Sequence, residues 1–282
     1  MAGVRDIRRR IRSVTNMQQI TKAMKMVAAS KLRKSQEKVI ASRPYAKQMQ
    51  DALARLVQAQ TDVCHPLLEK RPVKKVAYIL FTSDRGLCGG FNANLIRTTR
   101  VILEEPGEAK IGLVVIGRKG DEYFGRGRAE VIQKFTGLGD KPDYNQAKQI
   151  AKEVIKMYEA GEVDEVSIVY SKFVSVLNQV PTVTKLLPIE SVEGEVGGQY
   201  IFEPSPAEMI NRLLPRYIET LLYSALIESK ASEFGAKMTA MDSATENASE
   251  MIDKLTLAMN RARQAAITTE ISEIVGGAAA LG

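Results

Sequence analysis

The sequence predicts a mixed α/β fold: a long coiled coil of N- and C-terminal helices, with a small Rossmann-like α/β domain between them. Three observations predict it. Met238, Met241, Thr245, Ala248, Ile252, Leu255, Met259, Ala262, Ala266 and Thr269 recur by alternating threes and fours, with no charge among them and no Pro or Gly between. That spacing is a coiled-coil seam. The first sixty residues carry a matching helical period and supply a partner strand. Between the two, β-branched apolar runs alternate with helical stretches, as in a mainly parallel sheet.

The expected domains are 1–60 as the N-terminal coiled-coil helix, 73–200 as the central α/β domain and 205–282 as the C-terminal coiled-coil helix. In the first helix, apolar residues fall at 4, 7, 11 and 14, then at 17, 20, 24 and 27, then at 32 and 39. The step from Val14 to Met17 predicts a stammer, a three-residue slip that overwinds the coil locally. Ala23, Ala28 and Ala29 would let a second helix approach closely, and Pro44 should end or kink the helix near Arg43. Strands are expected at Val73 to Phe81, Lys110 to Ile116, Ala129 to Phe135, Val163 to Phe173 and Val180 to Ile189. Helices are expected from Ala93 to Leu103 and from Asp143 to Tyr158. Ser205, Pro206 and Glu208 form a strong start for the last helix, with Ser as N-cap and Pro at the first helical position. Pro215 inside that helix should bend its axis.

Composition bounds the function. The net charge is +7, yet residues 1–50 carry thirteen Lys and Arg against Asp6 and Glu37, a surplus of eleven, which leaves the remainder at −4. A basic first helix calls for an anionic partner: nucleic acid, lipid headgroups or an acidic protein surface. No apolar run is long enough to span a membrane. The N-terminus has no signal-peptide core, and its immediate helical period is expected of a mature end rather than a transit peptide. Cys64 and Cys88 show no metal-ligand spacing, and neither a metal nor a cofactor is expected.

Catalytic motifs do not assemble. TSDRGLCGGFN, at 82–92, follows a strand and invites a nucleotide-loop interpretation. It lacks the Lys and Ser/Thr of a phosphate loop and the glycine spacing of a dinucleotide turn. Gly86, Gly89 and Gly90 are expected to serve a tight turn, Cys88 a buried packing role and His65 an ordinary connection. Arg263 and Gln264 flank the seam position Ala262, where an Arg and a Gln side by side can hydrogen-bond to carboxylates and backbone of a partner.

MAGVRDIRRRIRSVTNMQQITKAMKMVAASKLRKSQE at the start, TSDRGLCGGFN in the middle and MNRARQAAITTEISEIVGGAAAL at the end together resemble the gamma-subunit family of the F-type rotary ATP synthases, in its bacterial form. The resemblance covers the whole chain. It implies an antiparallel coiled coil that is the non-catalytic rotor shaft inside a hexamer of alpha and beta subunits. The central domain would be a foot that holds the epsilon subunit and rests on the membrane c ring, so that proton-driven rotation is coupled to ATP synthesis or hydrolysis. By position, Arg263 and Gln264 match a pair that engages a beta-subunit catch loop. Met24, Lys22 and Lys25 match the stretch facing an acidic lever of beta, and Tyr200 and Glu203 the contact with the c ring. Ile274, Val275 and Leu281 belong to a tip turning in an apolar sleeve. The location implied is the cytoplasmic face of the bacterial plasma membrane, peripheral and held only through the complex. The short, cysteine-free stretch at 193–199 implies no thiol switch. The alternative from composition alone is a basic coiled-coil arm that binds nucleic acid, although its first helix has no aromatic residue before Tyr45.

Overall fold

The computed structural model describes residues 3–59, 65–105, 108–127, 129–189 and 205–281. The order of elements is α1 (Val4–Ala59), β1 (Lys75–Phe81), α2 (Phe91–Glu104), β2 (Lys110–Ile116), α3 (Arg118–Phe124), β3 (Glu130–Phe135), α4 (Tyr144–Glu159), β4 (Glu165–Phe173), β5 (Gln179–Leu187) and α5 (Pro206–Leu281). Two compact units result: one from the residues up to Val27 with those from Met238 onward, the other from Ala28–Lys237.

The larger unit is a three-layer sandwich. Its sheet runs β3-β2-β1-β4-β5, with the first four strands parallel and β5 returning antiparallel to β4. Strands covered on both faces read as continuous apolar runs, which is why β1 and β2 show no polar alternation. The pleat sends Ile79, Phe81, Val114, Ile116 and Ile168 to one face, where α4 and residues of α1 and α5 meet them. Leu80, Leu113, Val115 and Val169 point the other way, onto α2 and α3.

Local chemistry sets the ends of the helices. α4 opens with a capping box, Asp143 N–H donating to the Gln146 side chain at 3.1 Å. α5 opens on Ser205, whose hydroxyl accepts the Glu208 N–H. Pro44 does not end α1, which continues to Ala59, and α5 runs through Pro215. In each case the proline removes one ladder donor, and the surrounding turns hold the helix.

The smaller unit pairs the start of α1 with the later part of α5. Thr245 Oγ1 lies 2.8 Å from Thr21 Oγ1, and Lys25 Nζ lies 2.5 Å from Asp242 Oδ1. One number rises as the other falls, so the helices are antiparallel. The predicted seam on α5 is seen in the burial: Met241 and Ala248 are buried and Ile252, Leu255, Met259 and Ala262 half-buried. On α1 the predicted stammer is absent. Burial continues from Val14 to Gln18, Thr21 and Lys25, while Met17 is 58% and Ile20 60% exposed. An unbroken heptad keeps one face toward α5, and hydrogen bonding offsets the cost of polar residues on that face.

α4 and α5 are joined inside the larger unit by the Tyr144 hydroxyl, which donates to Glu219 Oε2 at 2.7 Å. Burial, then that hydrogen bond to a carboxylate, push the Tyr144 phenol up to about 12. The folded state favours the neutral phenol, so its contribution is complete below pH about 10 and is lost as pH rises to about 12. In a wild-type minus Tyr144→Phe difference titration of phenolate absorbance, one tyrosine should ionise near the upper end of that window. A difference centred at pH 10 would contradict the contact.

Candidate functional site

The crevice outside the carboxyl ends of β1 and β4 is where an open α/β sheet ordinarily takes a ligand, because the chain switches direction there. Here the chain fills it. Ser232 Oγ of α5 donates to Ser171 O at the end of β4, at 2.9 Å. Ala236 packs with Leu80, Cys88, Phe91 and Val169. Gly235 lies so close to the sheet that a Cβ there would come within 3.3 Å of the Phe173 ring.

The neighbouring loops are satisfied from within as well. Asp84 Oδ1 accepts the N–H groups of Arg118 and Gly137, which places a carboxylate of the chain at the start of α3. Gly117, at φ 91°, admits no side chain, since a Cβ would stand 2.2 Å from Thr82 O. Asn92 Nδ2 donates to Ser83 Oγ and to Cys88 Sγ, and burial pushes the Cys88 thiol up, away from the reactive thiolate. His65 caps a short turn by accepting the Leu67 N–H on Nδ1, and burial lowers its pKa. The stretch 82–92 is therefore a strand-to-helix turn in which Thr82, Ser83, Asp84, Cys88 and Asn92 are engaged within the fold.

The surface of the coil is the candidate site that remains. Its polar layer is economical: the Thr21 and Thr245 hydroxyls share two protons among the Gln18 carbonyl, the Met241 carbonyl and each other. Lys25 is tied to Asp242, Met24 is half-buried beside it, and Lys22 is exposed. On the outer side, Met17, Ile20, Met26 and Val27 are all more than half exposed. This apolar stripe, interleaved with cations, is what the stammer interpretation concealed. Continuing the heptad through Gln18, Thr21 and Lys25 would have revealed it from the sequence.

Pairing of 21 with 245 and of 25 with 242 gives partner numbers that add to 266 or 267, so Val4 falls opposite about residue 262. The seam fades where α1 begins, and the predicted seam positions Ala266 and Thr269 are exposed. Arg263 and Gln264 are exposed at that point, and Ile267, Ile271, Ile274 and Val275 beyond it are exposed as well. The two predicted contact groups are not brought together. Lys22 falls opposite about residue 244, so Arg263 lies some nineteen residues further on, about 28 Å along the helix. Tyr200 and Glu203 lie outside the described residues, as does the side chain of Leu281. Among the described residues no cluster of metal-ligating side chains occurs, and no helix is long and apolar enough to cross a membrane.

Residues 3–281 match the family model described as ATP synthase. The chain is 64% identical over 282 residues to the "ATP synthase gamma chain" of Desulfitobacterium hafniense, with all of both chains covered. It is 55% identical to the gamma chain of Heliobacterium modesticaldum, again over all of both chains. A chain of the Tetrahymena thermophila mitochondrial ATP synthase central stalk and c-ring matches with TM-score 0.62 and 26% identity, over 80% of this chain and 99% of that one. A chain from the Euglena gracilis mitochondrial ATP synthase, in a structure of OSCP, F1 and c-ring, matches with TM-score 0.73 over 99% of this chain and 94% of that one. At 19% identity the second likeness is one of fold.

Burial along the coil yields a packing prediction. Ala248 is 6% exposed in the seam, so Ala248→Leu should destabilise the coil by about 1–3 kcal/mol through overpacking. Ala262→Leu, at the half-buried end of the seam, should change stability by less than about 0.5 kcal/mol. Urea titration followed by helical circular dichroism compares the two, and equal losses would contradict the fading seam.

Proposed function

This chain belongs to the ATP synthase gamma-chain family, a non-catalytic central-stalk subunit, and on that premise we propose that its coil is the rotor shaft turning inside a hexamer of alpha and beta subunits. The observation that carries the proposal is the one-sided packing of the coil. Its seam satisfies only one face of each helix, and an apolar stripe with interspersed cations remains outward. Patches of that kind on an otherwise polar surface mark a protein interface.

An enclosing hexamer with an acidic lever would meet Lys22 and Met24 directly, whereas Lys25 already has Asp242 as a partner. Arg263 and Gln264 would engage a loop of one beta subunit, and Ile274, Val275 and Leu281 would turn in an apolar sleeve. The sheet-bearing unit would serve as the foot, with the epsilon subunit against it and Tyr200 and Glu203 toward the c ring. The complex would lie at the cytoplasmic face of a bacterial membrane, with this subunit peripheral. An asymmetric shaft presents a different face to each of the catalytic sites, so rotation and nucleotide affinity bias each other reciprocally. The nucleic-acid alternative draws no support from the relatives reported above, each named as an ATP synthase gamma chain.

Mixing the chain with alpha and beta subunits should yield one complex of fixed stoichiometry with ATPase activity, read by light scattering and phosphate release. A mixture that stays as separate species would sink the proposal. Within such a complex, replacing Arg263 and Gln264 together by Ala should reduce torque or assembly by more than either single replacement does, departing from the product of the single effects by about 0.5–3 kcal/mol. Strictly additive losses would show that the two side chains do not act as a unit.

A further inference from the structure

Within the sheet-bearing unit, the connection between β3 and α4, residues 136–143, has no backbone ladder of its own. Gly137 and Gly139 take left-handed φ values of 78° and 71°, with open space where a Cβ would stand. Such a segment is conformationally free unless other elements hold it. On the sheet side, the Gly137 N–H donates to Asp84 Oδ1 at 3.1 Å, and Gln146 Nε2 of α4 donates to Leu138 O at 3.1 Å. From α1, Lys31 Nζ lies 2.5 Å from Asp140 Oδ2. Lys38, one heptad further along α1, donates to the buried Pro142 carbonyl at 3.1 Å. Lys31 also reaches α5: its ammonium stands 5.7 Å from the centre of the fully buried Phe234 ring. The hydrogen bond from Lys31, then the charges of Lys31, Lys230 and Arg85, hold the Asp140 carboxyl below the usual carboxylate range, against the opposing effect of burial. Lys31 is thus the side chain at which α1, α5 and the chain leaving β3 meet.

We propose that Lys31 is a positioning residue for coupling: it clamps α1 and α5 to the β3–α4 connection, so that rotation passes between the two helices and the sheet without slip. The proposal rests on the rotor-shaft function above. Partly exposed ion pairs contribute little net stability, and ordering a long lysine side chain costs entropy. Stability alone therefore does not account for two lysines of α1 reaching the same short connection. Their distinguishing property is direction. The buried positions beside them on α1, Ala28, Leu32, Ser35 and Val39, are small or apolar, and such a face can repack after a small rotation. Charge-assisted hydrogen bonds are short and angular and fail under the same displacement. Because the connection is bound at Gly137 and Leu138 to the sheet and α4, a helix fixed to Asp140 and Pro142 is fixed to the sheet as well.

The test uses the complete membrane complex with Lys31→Met, measuring ATP hydrolysis and ATP-driven proton uptake into vesicles on the same preparation. The expected result is hydrolysis near the wild-type rate with about fivefold fewer protons moved per ATP, at the low end of ordinary coupling energies. Lys31→Arg, which keeps a cation for Asp140 and for the ring, should retain the wild-type ratio. Asp140→Asn should reproduce the loss, and the two replacements together should fall no further than either alone, because they break one contact. A purely structural role would lower the yield and melting temperature of Lys31→Met and leave protons per ATP unchanged, and that result overturns the proposal, as does a variant that matches wild type throughout. If Lys31→Met does not assemble, Asp140→Asn carries the test from the other side of the contact, with the same ratio as readout. A wild-type chain that supports no proton uptake in its complex would instead defeat the rotor-shaft function itself.

Discussion

One helix, α5, packs in two ways along its length, and the rest of the architecture accommodates that demand. From Ile210 to Ala236 its buried positions multiply until the helix is enclosed on every side, as expected of a helix inside a folded unit. From Met241 to Ala262 only Met241 and Ala248 are buried, with half-buried residues between and beyond them at helical spacing. Continuous enclosure requires a surface on each side of the helix. The sheet and α4 supply one side, and α1 from Ala28 onward supplies another. The sheet pays for this with its ligand crevice, which α5 occupies. A fold known for holding nucleotides becomes a socket for a helix, and a socket needs backbone proximity and fixed rotation more than it needs a phosphate loop.

The one-sided part of α5 follows from the same chain under a different constraint. A seam built from alanine, threonine and methionine is narrow, and it is weaker than a seam of leucines. Its polar layer at Thr21 and Thr245 contributes register, because a shift by one heptad would part the two hydroxyls from each other and separate Lys25 from Asp242. Exposed, Lys25 and Asp242 add little energy. They specify which residues face each other and leave the outer surface undisturbed by the pairing. The apolar side chains that a stronger seam would have consumed, Met17 and Ile20 among them, are thereby kept for that outer surface.

Much of this was legible in the residues. The α5 seam, the apolar strands and the Ser205 cap depend on local period and local hydrogen bonding, which a sequence displays directly. The error in α1 has a physical cause. Ranking positions by hydrophobicity places Met17 and Ile20 in the seam, but the register is set by the partner helix, which prefers Thr21 opposite Thr245. Pro44 was expected to end or kink α1 and Pro215 to bend α5; each helix continues through its proline, at the loss of one ladder hydrogen bond. Least legible were the contacts between residues distant in sequence. Nothing near Lys31 announces Asp140, and nothing near Asp84 announces the backbone of Arg118. The filling of the crevice belongs to the same class, since it depends on a helix that begins more than a hundred residues after the loop it covers.

The terminal stretch of α5 beyond Ala262 gives the sharpest argument for an enclosing partner. Antiparallel pairing exhausts α1 at Val4, so the last five turns have no helix of the described residues beside them. An isolated helix of that length is marginal in water, and this one exposes Ile267, Ile271, Ile274 and Val275. Two physical outcomes are open to such a segment: it frays, or another surface covers it. An apolar sleeve would supply the missing burial while making few directional contacts. Low directionality is what a turning tip requires, since a hydrogen bond formed at one angle must break at the next.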